Sequence, residues 1–259
     1  MAVLPHRLIR QARRDYGAVI GDVGVLVSRP LAVLLAPVLV PQGRWVRRRT
    51  PVLPEAAGER AGLEGQGGDP LRLVVLGESP AAGVGVADQR DGLARGLAAE
   101  IARRRGSAVA WTVCARTGAT AGDVARDLVP VAPTGQDVAV VVLGVNDSLR
   151  LRSRRAWREQ VGRLLDDLAP HLAPGGRVVL TGVPDLGAFP SLPQPLRAVL
   201  GWRARALDRQ LLRLAGGRSG VQHVPGPPLT GPEMFSVDAF HPNADSYARW
   251  AAHLAGVIG

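Results

Sequence analysis

From residue 71 onward, short apolar runs alternate with longer amphipathic segments. The apolar runs are rich in β-branched residues, as in 138–143, which is typical of parallel strands covered on both faces. The predicted strands are 71–77, 107–114, 137–144, 176–182 and 221–224. The predicted helices are 88–105, 119–129, 154–172, 196–215 and 243–257. This alternation predicts an α/β fold, a three-layer α/β/α sandwich around a five-stranded parallel sheet.

Residues 1–68 have a different pattern. An apolar run over 16–41 lies between two clusters of arginines, Arg7 to Arg14 and Arg44 to Arg49, and is interrupted by Asp22 and by Ser28-Arg29-Pro30. A membrane-spanning helix needs about 20 uninterrupted apolar residues, which disfavours a transmembrane segment. Three interpretations stay open: an arm that binds an anionic membrane surface, a helical arm that packs on the catalytic domain or on a second subunit, and, third, a true membrane-spanning anchor.

A Gly-, Glu- and Pro-rich stretch over 55–70 follows this arm and predicts a linker. We therefore expect two parts, an N-terminal arm with its linker over 1–68 and a catalytic domain over 69–259. A length of 259 residues suits one such domain plus an appendage.

The formal charge of +10 does not indicate a nucleic-acid partner. All 32 basic residues are arginine, which is typical of a GC-rich, bacterial genome, and aromatic residues make up only 4% of the chain. No segment interleaves aromatic with basic residues, as a single-strand binding surface requires. The single cysteine, Cys114, excludes an intrachain disulfide and is expected to be a buried strand thiol. A cytoplasmic location, or peripheral attachment to a membrane, fits this composition.

Ser79 is a candidate nucleophile. It follows the first predicted strand of the sheet directly, in the sequence Gly77-Glu78-Ser79-Pro80. A serine at this point can expose its hydroxyl while backbone N–H groups point at the same spot. An ordinary Gly/Ser turn has the same residue types.

Two further strand ends carry candidate oxyanion donors. Asn146, in Gly144-Val145-Asn146-Asp147, can donate its side-chain amide, although a helix cap is the alternative role. Gly118, or else Gly122, can bring a backbone N–H close to a reacting oxygen because it has no side chain.

His241 is the candidate general base. It lies three residues after Asp238, between the last predicted strand and the last predicted helix. At this spacing a carboxylate can orient an imidazole, and an activated serine needs such an oriented base. No other histidine of the chain combines a carboxylate so placed with a strand-end loop.

Taken in chain order, these four segments resemble the sequence blocks of the SGNH (GDSL-like) hydrolase superfamily. The resemblance covers residues 71–259 and implies a flavodoxin-like sandwich with Ser79 as nucleophile and His241 and Asp238 completing a triad. It also implies an oxyanion hole formed by the N–H groups of Ser79 and Gly118 with the Asn146 side chain. The resemblance implies no metal and no other cofactor. One departure is Glu78, which replaces the usual aspartate and is one methylene longer.

The expected activity is hydrolysis of carboxylic esters with short to medium or lipid-like acyl groups. Apolar residues in the loop 183–195, namely Leu186, Phe189 and Leu192, are candidates for the wall of an acyl pocket. Two alternatives remain: a carbohydrate O-acetyl esterase or acetyltransferase, and a membrane-associated binding protein that has the fold without the chemistry.

Overall fold

The computed structural model describes residues 28–227, 229 and 231–258. The predicted basic segment over 7–14 and the first part of the apolar run lie outside these residues. The helices are α1 (Ala36–Arg49), α2 (Leu93–Arg105), α3 (Ala121–Asp123), α4 (Val145–Leu149), α5 (Arg154–Leu168), α6 (Leu196–Gly216) and α7 (Ala244–Ile258). The strands are β1 (Ala61–Glu64), β2 (Leu71–Gly77), β3 (Val109–Ala115), β4 (Gln136–Val142), β5 (Leu172–Thr181) and β6 (Val221–Val224).

Within the described residues the sheet has six strands in the order β1-β3-β2-β4-β5-β6. All neighbours pair in parallel except β1, which pairs antiparallel with β3. The prediction of a parallel α/β sandwich is confirmed, with one strand more than the predicted five. Without β1, the order β3-β2-β4-β5-β6 is that of a flavodoxin-like sheet. The chain adds β3 on one side of β2 and then adds β4, β5 and β6 on the other side, so the strand order reverses at β2. Ligands of such sheets bind at the carboxyl ends of the strands beside this point.

The sheet is covered on both faces. One apolar core joins it to α5, α6 and the helical turn after α3, with Trp157 and Leu207 fully buried. The other joins it to α2 and α7 through residues such as Leu97 and Trp250. Burial on both sides explains why the strands have continuous rather than alternating apolar runs.

Strand β1 forms within the stretch predicted to be a linker. Its residues Ala61 to Glu64 pair with Thr112 to Val109 of β3, although three of the four are exposed. The backbone of a short edge strand is stabilised by its hydrogen bonds, so it needs no apolar pattern of its own. The chain between the arm and β2 is therefore part of the sandwich.

The described part of the arm is helical over 28–34 and 36–49, as predicted. Residues 28–34 form a helical segment that leads into α1. Ala32, Leu39 and Val46 are buried in the core on the α6 side of the sheet. The side chain of Gln42 bonds the carbonyl of Gln194 at 2.7 Å and the N–H of Leu196 at 3.2 Å. No helix within the described residues has the length and apolar character needed to cross a bilayer.

Candidate active site

Ser79 lies two residues beyond the carboxyl end of β2, at the point where the strand order reverses. Gly77 has a φ of +152°, and a Cβ there would collide with the carbonyl oxygen of Val142 on β4. The chain can therefore turn so close to β4 only with glycine at this position. The turn leaves Ser79 8% exposed, at the edge of the sheet.

Ser79, His241 and Asp238 form one hydrogen-bonded chain. The Ser79 Oγ lies 3.0 Å from His241 Nε2, and His241 Nδ1 lies 2.6 Å from Asp238 Oδ2. Because a carboxylate can only accept, Nδ1 carries the proton, and Nε2 is left to accept from the serine hydroxyl. The three residues predicted from the sequence to act together are thus in contact.

Asp238 is fixed by the turn that it begins. Its Oδ1 accepts hydrogen bonds from the N–H groups of Phe240 and His241, at 3.0 and 2.9 Å. Ala239, directly after Asp238, has a positive φ of +53°, an uncommon conformation for a residue with a side chain. Burial acts to raise the pKa of Asp238, but the hydrogen bonds from His241 and Phe240 outweigh it and lower the pKa. Asp238 is therefore held as a carboxylate.

The loop that carries His241 packs closely against the loop that carries Ser79 at Gly85. A Cβ on Gly85, whose φ is +109°, would collide with the carbonyl oxygen of Pro242. The hydroxyl of Tyr247 on α7 donates to the carbonyl of Val84 at 2.7 Å. These contacts help to hold Ser79 beside His241, although the two residues are 162 positions apart in the sequence.

Two backbone N–H groups, in the loops that follow β2 and β3, are free to bind an oxygen. Neither the N–H of Ser79 nor that of Gly118 has an acceptor within the described part of the chain. Gly118 has a φ of +79°, and the space where its side chain would stand is open. The alternative residue, Gly122, instead faces the side chain of Gln160.

Asn146 lies in the first turn of α4, and its side-chain amide already has two partners. Its Nδ2 donates to Glu78 Oε2 at 2.6 Å and to the carbonyl of Ala119 at 3.1 Å. Its neighbour Asp147 is fully buried and accepts from the N–H of Ala121 at 2.9 Å. The two side chains therefore tie the end of β4 to the loop that follows β3.

Glu55 is a supporting residue that sequence reasoning missed. Its Oε1 accepts from the N–H of Thr117 at 2.6 Å, and its other oxygen pairs with Arg60. Arg60 in turn donates to the carbonyl of Ala115 at 2.9 Å. Residues of the expected linker thus hold the loop that carries Gly118. No sequence signal marked this role, since Glu55 lies 62 residues before its partner Thr117.

A small cavity of about 20 Å³ lies beside Ser79 and His241. Its lining is mostly apolar and includes Phe189, Leu229 and Phe240. Phe189 packs edge-to-face on Phe235 and Phe240, with ring centroids 5.0 and 5.1 Å apart. Of the three residues predicted to wall an acyl pocket, Phe189 lines this cavity. Leu186 and Leu192 lie instead in the main core and are not part of the lining.

Cys114 is buried in β3 as expected, and burial raises the pKa of its thiol. Among the described residues, no cluster of three or more His, Cys, Asp or Glu side chains could hold a metal ion.

A serine, an oriented histidine and two free N–H donors, at the carboxyl edge of a flavodoxin-like sheet, define the class of serine hydrolases. Residues 75–249 match the model of the GDSL-like Lipase/Acylhydrolase family. The chain belongs to this family and is a serine ester hydrolase.

Known proteins agree with this assignment. The GDSL-like esterase Rv1075c of Mycobacterium tuberculosis is 31% identical, over 87% of this chain and 77% of the relative. An extracellular lipase from Streptomyces rimosus shares the fold with a TM-score of 0.55 at 19% identity, over 73% of this chain and 99% of that one. Est24, a carbohydrate acetylesterase from Sinorhizobium meliloti, has a TM-score of 0.52 at 15% identity, over 72% and 97% of the two chains.

Proposed function

We propose that Ser79 is the nucleophile of this esterase, with His241 as general base and Asp238 as the group that orients it. His241 Nε2 takes the hydroxyl proton while Ser79 Oγ attacks the ester carbonyl carbon. The protonated imidazole then gives its proton to the leaving alcohol, and an acyl-enzyme forms. Water, activated by the same imidazole, attacks the acyl carbon and regenerates Ser79.

The negative oxygen formed in each step is bound by the N–H groups of Ser79 and Gly118 and by the Asn146 side chain. Fixed donors of this kind stabilise the transition state because they need no rearrangement as charge develops. Two of them are free in the resting enzyme, whereas Asn146 must exchange one of its present hydrogen bonds.

The observation that carries this proposal is the unbroken contact from Asp238 through His241 to Ser79, at 2.6 and 3.0 Å. Alanine at Ser79 or His241 should lower kcat for a nitrophenyl ester by several orders of magnitude, and the double variant should lose little more. Ser219→Ala, on an exposed turn, is the matched control and should keep wild-type kcat. A Ser79→Ala enzyme with more than about a tenth of the wild-type rate would contradict the assignment.

Short-chain carboxylic esters are the substrates that the cavity favours. A volume of about 20 Å³ has room for about one water-sized or methyl-sized group. The methyl of an acetyl group fits such a site, whereas a long acyl chain would have to displace Phe189 or lie on the surface.

O-acetylated carbohydrate is the second candidate substrate, and the same small cavity favours it. An acetyl group would fill the cavity, and the sugar would remain outside as the leaving alcohol. Transfer of the acetyl group to a second sugar hydroxyl would use the same acyl-enzyme, with that hydroxyl in place of water.

The arm is the proposed membrane-surface contact. Its outward side carries exposed apolar residues, including Leu34, Val38 and Trp45, which are 75%, 48% and 48% exposed. Val38 and Trp45, seven residues apart, lie on one side of α1, and Leu34 lies in the helical segment that leads into it. Exposed Arg47, Arg48 and Arg49 follow them. Apolar side chains beside a cluster of arginines suit an anionic lipid surface, each arginine contributing about 1 kcal/mol.

A further inference from the structure

Glu78 is a buried carboxylate directly before the nucleophile, and the proposed reaction does not use it. It is 1% exposed and accepts three hydrogen bonds from the start of α4. Two come from the N–H groups of Val145 and Asn146, at 2.9 and 3.0 Å. The third comes from the Asn146 side-chain amide at 2.6 Å.

The surroundings of the Asn146 amide fix its orientation. The two groups that contact its nitrogen, the Glu78 carboxylate and the Ala119 carbonyl, are both acceptors. A flipped amide would place its own oxygen against both, so the nitrogen must face them. Both amide protons are therefore engaged in the resting enzyme.

The two bonds differ in strength. The bond to Glu78 is short, at 2.6 Å, and charge-assisted, whereas the bond to Ala119 is neutral and 3.1 Å long. Charge-assisted hydrogen bonds are roughly twice as strong as neutral ones. An ester oxygen entering the site therefore competes more easily for the proton that faces Ala119.

We infer that Glu78 is a positioning residue for the oxyanion donor Asn146: it anchors one amide proton so that the other is presented to the substrate oxygen. This inference rests on the proposed function, in which Asn146 stabilises the oxyanion. On the present backbone an aspartate, one methylene shorter, would place its carboxylate farther from these donors, so Glu78→Asp should weaken at least one of the three contacts.

A double-mutant cycle separates this role from a structural one. The variants are Glu78→Gln, Asn146→Ala and their combination, assayed with a nitrophenyl acetate in buffer above the Glu78 pKa of about 7. Asn146→Ala should lower kcat by about a hundredfold, the usual loss for one oxyanion donor. Glu78→Gln should lower kcat by about tenfold with little change in KM, since only transition-state binding is affected.

In the Asn146→Ala background, Glu78→Gln should change kcat by less than about twofold, because the group through which it acts is gone. Losses that multiply in the double variant would overturn the inference, since a structural role through the backbone N–H groups survives removal of the amide. Glu55→Gln is the matched control: this carboxylate supports the Thr117 N–H beside Gly118, so its loss should multiply with that of Asn146→Ala.

Glu78→Asp keeps the test valid if Glu78→Gln folds poorly, because it retains the charge and can still accept from backbone N–H groups. Thermal unfolding identifies which variants are folded. Any kcat loss of Glu78→Asp should likewise disappear in the Asn146→Ala background, and a persistent loss overturns the inference. The proposed oxyanion role itself fails if Asn146→Ala alone leaves kcat unchanged, so the two failures are distinguishable.

Discussion

Glu78 costs the folded protein stability whenever it is ionised. Burial, and to a smaller degree the nearby charge of Asp147, raise its pKa from 4.5 to about 7, although the N–H groups of Val145 and Asn146 oppose this shift. In the unfolded chain the same carboxyl ionises at its ordinary value. Between pH 4.5 and about 7 the folded state therefore binds more protons than the unfolded state.

The free energy of unfolding should consequently fall as pH rises through this window, by up to about 3 kcal/mol from this residue. Glu78→Gln cannot ionise and should lose this part of the pH dependence, whatever its absolute stability. Urea unfolding of both proteins at the two ends of the window measures the difference. Identical pH dependence in the two proteins would show that Glu78 ionises normally in the fold. Asp147, whose pKa burial also raises, is present in both proteins, so the comparison isolates Glu78 together with its coupling to Asp147.

Phe189 should set the acyl-chain preference. With wild-type enzyme, kcat/KM for nitrophenyl esters should fall by about tenfold or more between acetate and octanoate. The methylenes beyond the acetyl group have no room in a cavity of about 20 Å³. Phe189→Ala enlarges the cavity and should shift the optimum to longer chains. Leu192→Ala is the control, because Leu192 lies in the same loop, 183–195, but is buried in the core without lining the cavity. An unchanged preference in Phe189→Ala would place the acyl group elsewhere.

At the scale of single residues, the sequence supported the contact between Asp238 and His241, because a spacing of three residues fits one turn. It also placed Ser79, Gly118 and Asn146 at strand ends, which parallel topology brings to one edge. It could not predict the partners of Glu78, which lie 67 and 68 positions away. Such contacts depend on side-chain length and on how closely two loops approach, and neither is encoded in a local pattern.

At the scale of elements, periodicity predicted the strands and helices that bury apolar residues. Strand β2 and strand β6 have the predicted bounds, and α6 differs from prediction by one residue. Strand β1 was missed because its residues are mainly exposed and its stability comes from pairing with β3. Helix α4 was missed because it is only five residues long and begins in the loop after β4.

The arm is the element with two different faces. One face packs into the core through Leu39 and Val46, which supports the interpretation of a packing arm. The opposite face supports the proposed membrane contact. The membrane-surface and packing interpretations are therefore compatible, since they use different sides of the described part of the arm.

Full-length protein should bind vesicles that contain phosphatidylserine, less strongly as salt is added, because the arginines act through screened charges. Replacing Leu34, Val38 and Trp45 together by serine should weaken binding by about tenfold or more, through lost apolar contact. Val131→Ser is the matched control, since Val131 is 69% exposed and lies outside the arm. Sedimentation with vesicles measures the effect. Wild-type protein that ignores anionic vesicles, or that self-associates through this face instead, would contradict the proposal.

At the scale of the whole molecule, the site depends on segments from nearly the full described length. Residues 55–60 hold the loop of Gly118. Ser79 follows β2, Asn146 lies in α4 just after β4, and the segment before α7 supplies the base. A doubly wound sheet gathers them because each of these segments follows or supports the carboxyl end of a strand. The net charge of +10 plays no part in the proposed hydrolysis. We expect the arginines of the arm to act in membrane binding instead.

The central claim is that Ser79 is the residue that becomes acylated, and covalent labelling tests it most directly. Intact-mass spectrometry after treatment with a fluorophosphonate should show one added phosphonyl group, located by peptide mapping on Ser79. Ser79→Ala should gain no mass, and His241→Ala should react far more slowly because its serine has no base. Folded wild-type protein that takes up no label, or a label on another residue that persists in Ser79→Ala, would contradict the account.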